Sequence, residues 1–220
     1  MLSRLDTGEA STLHDRIYQQ LSLAIVDGQF EAGQLLTLQG AATVLGTSIM
    51  PVRDAIRRLV SEQALEMSSP RRIRVPLASP EKLVAQFTAR RLVEGEAAAM
   101  VARSASHAEL EGLMELETGD SAPDHDVASS VVLARQFWSK FFAASGSDLF
   151  VHLSRILALQ FGPYLGSVLR TGSSEHVEAV LGLTSRKPLL RCVAAGDAEG
   201  ARAVVSLRLS TAAGVFRTLF

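Results

Sequence analysis

One cysteine, Cys192, in 220 residues leaves nothing for an internal disulfide framework, which suits a reducing compartment. Aromatic residues make up only 5% of the chain, whereas Ala, Leu and Val abound, and that balance leans the fold toward helix. No apolar run reaches the ~18 residues needed to span a bilayer. The opening stretch MLSRLDTGEASTLHDR has no apolar core of the kind a signal peptide carries. The expectation is a soluble cytoplasmic protein with no membrane partner. A net charge of −1 argues against a generic polyanion binder. The length allows one large domain or two modest ones.

Positive charge is nonetheless concentrated. Residues 48–78 hold Arg53, Arg57, Arg58, Arg71, Arg72 and Arg74 against Asp54, Glu62 and Glu66, a local excess of three positive charges. The segment LGTSIMPVRDAIRRLVSEQALEM, residues 45–67, gives those arginines a frame. Leu45, Gly46 and Thr47 end one short helix and turn. Ser48 is placed to cap the next, where a side-chain oxygen satisfies first-turn N–H groups. Pro51 falls in that first turn, where its missing N–H does little harm. Val52, Ile56, Leu59 and Val60 recur at helical spacing, and Arg53, Arg57 and Arg58 take the opposite face. Such a helix, entered through a Gly turn, suits the DNA major groove.

Around it the periodicity predicts a helix over 12–28, a short helix over 38–45 and the arginine helix over 48–63. Residues 64–67 and 73–75 read as a hairpin. That is a winged helix-turn-helix over residues 1–78. Pro76 and Pro80 punctuate a linker, with Ser79 capping a helix that Pro80 opens. Helical patterns then run through about 80–105, from about 106, and over 127–145, 148–170, 174–194 and 197–218. Pro188 inside one of them either kinks the helix or falls in the first turn of a helix that Thr184 or Ser185 caps near Arg186. Residues 79–220 thus read as an all-helical bundle of about six helices, able to enclose a cavity. The fold class is mainly α: an N-terminal winged helix-turn-helix and a C-terminal helical bundle.

Nothing in the sequence points to catalysis: no nucleophile–base spacing, no metal set, no phosphate loop. Glu94 and Glu96 stand two apart on a helix, so their carboxylates diverge. Asp124, His125 and Asp126 are adjacent in a polar loop and read as solvated. For DNA, Thr47, Ser48, Pro51, Arg53 and Arg57 are the candidates from the helix, and Arg71 and Arg72 from the wing. Ser48, Thr47 and the helix-start N–H groups suit phosphates; Arg53 is the anchor; Arg58 is placed to pair with Glu62.

DGQFEAGQLL, LGTSIMPVRDAIRRL, EQALEM and RRIRVPLASPEKL resemble the N-terminal domain of GntR-type transcription regulators. ARRLVEGEAAAMVA, FWSKFFAASGS and CVAAGDAEGARAVVSLRL resemble the helical FCD effector domain of the FadR branch. The resemblance implies a homodimeric repressor or activator on a palindromic operator in double-stranded DNA, with a small metabolite in the helical domain shifting DNA affinity. It also marks departures. Ile49 and Met50 stand where family members commonly have Arg and Thr, so guanine readout gives way to methyl or phosphate contact. Arg71-Arg72 replaces the usual Arg-Gly at the wing tip.

Many FCD domains hold a divalent metal with one Asp and three His. The corresponding positions here are Ala134, Trp138, Arg186 and Arg208, which cannot ligate a metal in the ordinary way. No cofactor is therefore expected. Two readings of the ligand region stand. In one, Arg186 and Arg208 point into a metal-free pocket walled by Trp138 and bind a carboxylate or phosphate of an anionic metabolite. In the other, the pocket has collapsed around Trp138 with both arginines turned outward, or Glu94 or Glu96 neutralises an arginine internally. The second leaves an effector-insensitive regulator that binds DNA constitutively.

Overall fold

The computed structural model describes residues 13–69, 72–119 and 126–219, without the side chains of residues 68, 69 and 119. Helix α1 (Leu13–Val26) buries Ile17, Tyr18, Leu21 and Ile25 along one stripe. A short strand β1 (Leu35–Leu36) leads to α2 (Leu38–Val44) and α3 (Ile49–Ser61). Strands β2 (Glu66–Ser69) and β3 (Arg72–Arg74) form the hairpin, and β1 joins its free side, giving an antiparallel sheet in the order β1-β3-β2. Strand β1 was not legible in the sequence. Two residues show no alternation, and only tertiary pairing of Leu35 with Arg74 and Leu36 with Ile73 makes them a strand.

Ser48 takes the N-cap position of α3 with extended backbone, yet its side chain makes no cap hydrogen bond. The expected cap fails for a local reason. Pro51 is the third helical residue, and it has no N–H for a cap oxygen to accept. The same arithmetic recurs at α9 (Arg186–Ala194), where Ser185 leads and Pro188 stands third. Caps that do form reach a third residue with an N–H: Thr37 accepts from Gly40, Ser79 from Lys82 and Asp126 from Ser129, although Ser147 before the helix Asp148–Thr171 makes no such bond despite the Phe150 N–H.

The bundle comprises α4 (Pro80–Ser104), α5 (His107–Gly119), α6 (Val127–Ala143), α7 (Asp148–Thr171), α8 (Ser174–Leu181), α9 and α10 (Ala198–Leu219). The single helix expected over 174–194 is divided. Gly182 ends α8 in the left-handed region, φ +71°, and a 3₁₀ turn at Leu183–Ser185 precedes α9. A side chain at Gly182 would also strike Arg208 and Trp138, so the break and the packing need the same glycine.

Each half has its own core. One gathers Ile17, Ile25, Val52, Ile56, Leu59, Ile73 and Val75; the other gathers Phe87, Val101, Phe137, Phe141, Leu189, Leu209 and Phe216. The halves are not loosely linked, because Leu159 of α7 belongs to the first core. Helix α7 approaches α1 through Gly162 and Gly166, where added Cβ atoms would run into the carbonyl oxygens of Ile25 and Gly28.

Gly162→Ala should therefore force α1 and α7 apart. We expect a loss of roughly 2 kcal/mol or more, of the size seen for overpacking, read as a lower midpoint in thermal melting. Gly214→Ala is the control: it lies in α10 with open space around it, and should be neutral or stabilising by up to about 1 kcal/mol.

Candidate functional site

Two regions combine exposed or orphaned charge with a defined frame. The first is the outer face of α3. Pro51, Val52, Ala55, Ile56 and Leu59 face inward, while Met50, Arg57 and Arg58 are exposed. Pro51, a surface candidate in the sequence, is buried and shapes the first turn instead. Thr47 and Arg53 are half-buried and Ser48 exposed at the helix entry. Arg53 Nε is a buried donor with no acceptor among the described residues. Arg57 leans toward Asp54 at 3.8 Å.

Arg58 turns away from this face. Its guanidinium lies 3.8 Å from the Tyr18 ring centre and 3.7 Å from Glu62. Arg72 is exposed on β3, and Arg74 binds Glu66 at 2.8 Å. Arg71 falls outside the described residues, as do Asp124 and His125.

The end of α3 is tied to the bundle by a network that sequence reading missed. The Tyr18 hydroxyl donates to Glu62 at 2.6 Å, and Arg155 of α7 donates to Glu62 at 2.7 Å and to the Tyr18 oxygen. Gln160 donates to the Glu62 carbonyl at 3.0 Å. Nearer the end of α1, Arg135 of α6 binds Asp27 at 2.7 Å. Partial burial works against the Glu62 charge, but the hydrogen bonds from Arg155 and Tyr18 outweigh it and hold the carboxyl below its usual range. Burial and the bond to Glu62 push the Tyr18 phenol up.

The second region is a cavity of about 420 Å³ between α1, α4, α6, α7, α8 and α10. Its walls are mostly apolar, with a charged cluster at one side. Arg90 and Glu94, four apart on α4, pair at 2.5 Å. Arg208 of α10 donates to the other Glu94 oxygen at 2.5 Å, and its guanidinium stacks 4.0 Å from the Trp138 ring centre. Trp138 Nε1 donates to the Leu181 carbonyl at 2.9 Å, just before the Gly182 break. Arg208 is 5% exposed and Glu94 1%. Burial pulls the Arg208 pKa down to about 10, helped by the charges of Arg90 and Arg186 and opposed by Glu94. At neutral pH the group is still a cation.

Thus Trp138 and Arg208, expected together, are together. Arg186 is buried as well, but it stacks 4.9 Å from the Phe137 ring centre and is not on the wall of this cavity. Its place differs from the expectation that both arginines enter one pocket, because the short helix α9 starts only after the 3₁₀ turn. Ala134 lies on the wall without any donor atom. Ala134, an indole whose N–H is engaged and two guanidiniums do not fit a divalent metal. Among the described residues no group of three or more His, Cys, Asp or Glu could hold one either. The Arg90–Glu94 pair had a readable signal, the four-residue spacing on a helix. That Arg208 completes it agrees with the alternative in which Glu94 neutralises one of the two arginines internally; which glutamate and which arginine pair was left open by the sequence.

With this geometry established, likeness to known proteins adds the family. Residues 13–75 match the family model described as bacterial regulatory proteins, gntR family. Residues 86–210 match the FCD domain. The chain belongs to the GntR family of transcription regulators and carries an FCD domain. No curated protein matches its sequence. Among solved structures, E. coli McbR/YncC superposes with a TM-score of 0.85 at 22% identity, covering 96% of this chain and 100% of that one. A putative GntR transcriptional regulator from Rhodococcus sp. RHA1 gives 0.72 at 19% identity, over 94% of this chain and 98% of that one. At such identities these likenesses speak for the fold alone. No helix among the described residues is long and apolar enough to cross a membrane.

Two outcomes test these contacts. Glu94→Gln leaves two buried guanidiniums short of a counter-charge, and should destabilise the chain by about 3–5 kcal/mol in urea unfolding. Glu62, its pKa lowered by folding, contributes stability that is present above its ordinary pKa of 4.5 and lost as the pH falls through its folded value. Glu62→Gln should remove about 1–3 kcal/mol at pH 7 and flatten this part of the acid stability profile. Amide exchange in α1 followed against pH checks it.

Proposed function

We propose that this GntR-family regulator is of the FadR branch and works in the cytoplasm as a homodimer on a palindromic operator. An anionic metabolite in the helical domain modulates its grip on DNA. It has no catalytic role and uses no metal. The supporting observation is Arg208, a buried cation on the wall of an otherwise largely apolar cavity, with its Nε lacking a hydrogen-bond partner among the described residues. A carboxylate or phosphate is the group that such a guanidinium binds. Arg186 stays in this reading as a nearby positive charge that raises the local potential.

In the DNA complex, Ser48 and Thr47 meet phosphates, and the exposed, uncapped Ser48 hydroxyl favours that role. Arg53 is the anchor, Arg57 lies beside it, Pro51 fixes the turn, and Arg71 and Arg72 approach from the wing. Ile49 and Met50 offer thymine methyls an apolar contact.

A second reading has one observation in its favour. Glu94 already bonds both Arg90 and Arg208, so the cluster can stand without a ligand anion, as an effector-insensitive DNA-binding protein would allow.

Gel shifts on the DNA upstream of the chain's own gene, with and without succinate, glutarate or a phosphorylated sugar, separate the two. We expect one of these acids to change the midpoint and to raise the melting temperature, and Arg208→Ala to abolish both effects. Binding that ignores every anion supports the second reading; absence of DNA binding refutes both. Arg53→Ala should weaken binding and reduce the slope of log affinity on log salt by about one per protomer. An unchanged slope removes Arg53 from the phosphate contacts.

A further inference from the structure

The cavity is not closed by the helical bundle alone. Its outer wall is α1 of the DNA-reading half, which contributes Ser22 and Val26 between Tyr18 and Asp27. Most polar groups on the wall are engaged: Asp27 with Arg135, Arg155 with Glu62, Arg90 with Glu94. Two that are more than nine-tenths buried are not. Arg208 Nε, from α10, and Ser154 Oγ, from α7, have no hydrogen-bond partner among the described residues. Ser22 Oγ, on α1, is buried on the same wall and makes no well-formed hydrogen bond. It stands beside the Tyr18 hydroxyl, which Glu62 and Arg155 already occupy.

Buried polar atoms in native proteins are nearly always satisfied, and each exception calls for an explanation, an ordered water, an ion or another bound group among them. Here the residues that carry them come from three helices, two in the bundle and one in the reading half, and line one mostly apolar space. That space falls in the range that takes a drug-sized molecule, ~300–1,000 Å³. We infer that the effector site is shared between the two halves, and that its ligand is an amphipathic anion with a second polar group. The acid group meets Arg208. The apolar body lies against Trp138. A hydroxyl, carbonyl or amine bridges Ser154 of α7 and Ser22 of α1. The inference rests on the reading of Arg208 as anion anchor and adds the second wall and the second polar group.

The consequence is direct coupling. A ligand shifts a conformational equilibrium only through contacts that differ between the states. One that touches α1 changes the docking of the reading half without any relay through the bundle. By linkage, operator DNA changes ligand affinity by the same factor.

Trp138 is the sole tryptophan and lines the cavity, so the full chain reports occupancy unaided. The probe is 8-anilinonaphthalene-1-sulfonate, an aromatic anion with one further N–H, whose absorption overlaps tryptophan emission. We expect saturable quenching of Trp138 with sensitised probe emission. Arg208→Met should weaken binding about tenfold, and so should Ser22→Phe, which fills the space from the α1 side. Should Ser22→Phe fold poorly, the double variant Ser22→Ala, Ser154→Ala removes the hydroxyls without adding bulk and should weaken binding several-fold. Binding lost in Arg208→Met but unchanged in the Ser22 variants overturns the shared site and leaves the anion reading intact. No saturable quenching up to millimolar probe, or quenching indifferent to every variant, overturns both.

Discussion

A carboxylate buried between two guanidiniums is the constraint on which the effector half depends. Glu94 holds Arg90 on its own helix and Arg208 on the last helix, so α4 and α10 are joined by charge in their middle as well as by apolar packing. Three ionised groups in one apolar interior are tolerated only because they pair with short hydrogen bonds. Trp138 then completes the arrangement: its face covers Arg208, its N–H ties α6 to the end of α8, and Gly182 gives both side chains room. Removing any member disturbs the others, since they are joined by hydrogen bonds and a ring contact rather than by mere neighbourhood.

The same economy of contact governs how the reading half meets the bundle. Two glycines on α7 let α1 come close enough for backbone to touch backbone, and Leu159 enters the reading half's core. Glu62 at the close of the arginine helix is bonded from α1 and from α7 at once. The helix that faces DNA is thereby held at its far end by residues of the effector half. Small movements of α7 have a mechanical path to the recognition surface, because packed interfaces switch between arrangements rather than deform smoothly.

Much of the architecture was legible. The stripe of Val52, Ile56 and Leu59 opposite the arginines announced α3, and the caps at Ser79 and Pro80 announced α4. Ser48 holds the N-cap position of α3 as its residue type suggests, but Pro51 at the third helical position has no N–H for the serine hydroxyl to accept. The break within 174–194 was half legible: Pro188 allowed a new helix starting near Arg186 behind Ser185, as found, whereas Gly182 as the end of α8 gave no signal, since a glycine inside a helical pattern reads as tolerable until its neighbours in space are known. Trp138 and Arg208, singled out through resemblance, both line the cavity, whereas Arg186 lies off its wall. Arg155, Gln160 and Ser154 gave no signal, because a polar residue on a long helix looks solvated until another element covers it.

Sequence by itself determined the local things: which stretches are helical, where most of them start, and the charge on α3. These follow from spacing and residue chemistry within a few turns of chain. Only the tertiary structure decided which arginine lines the cavity, that Glu94 answers Arg208 across more than a hundred residues, and that α1 serves as a wall of that cavity. Such pairings depend on how helices cross, and crossing is set by the sum of many weak packing contacts that no short segment encodes.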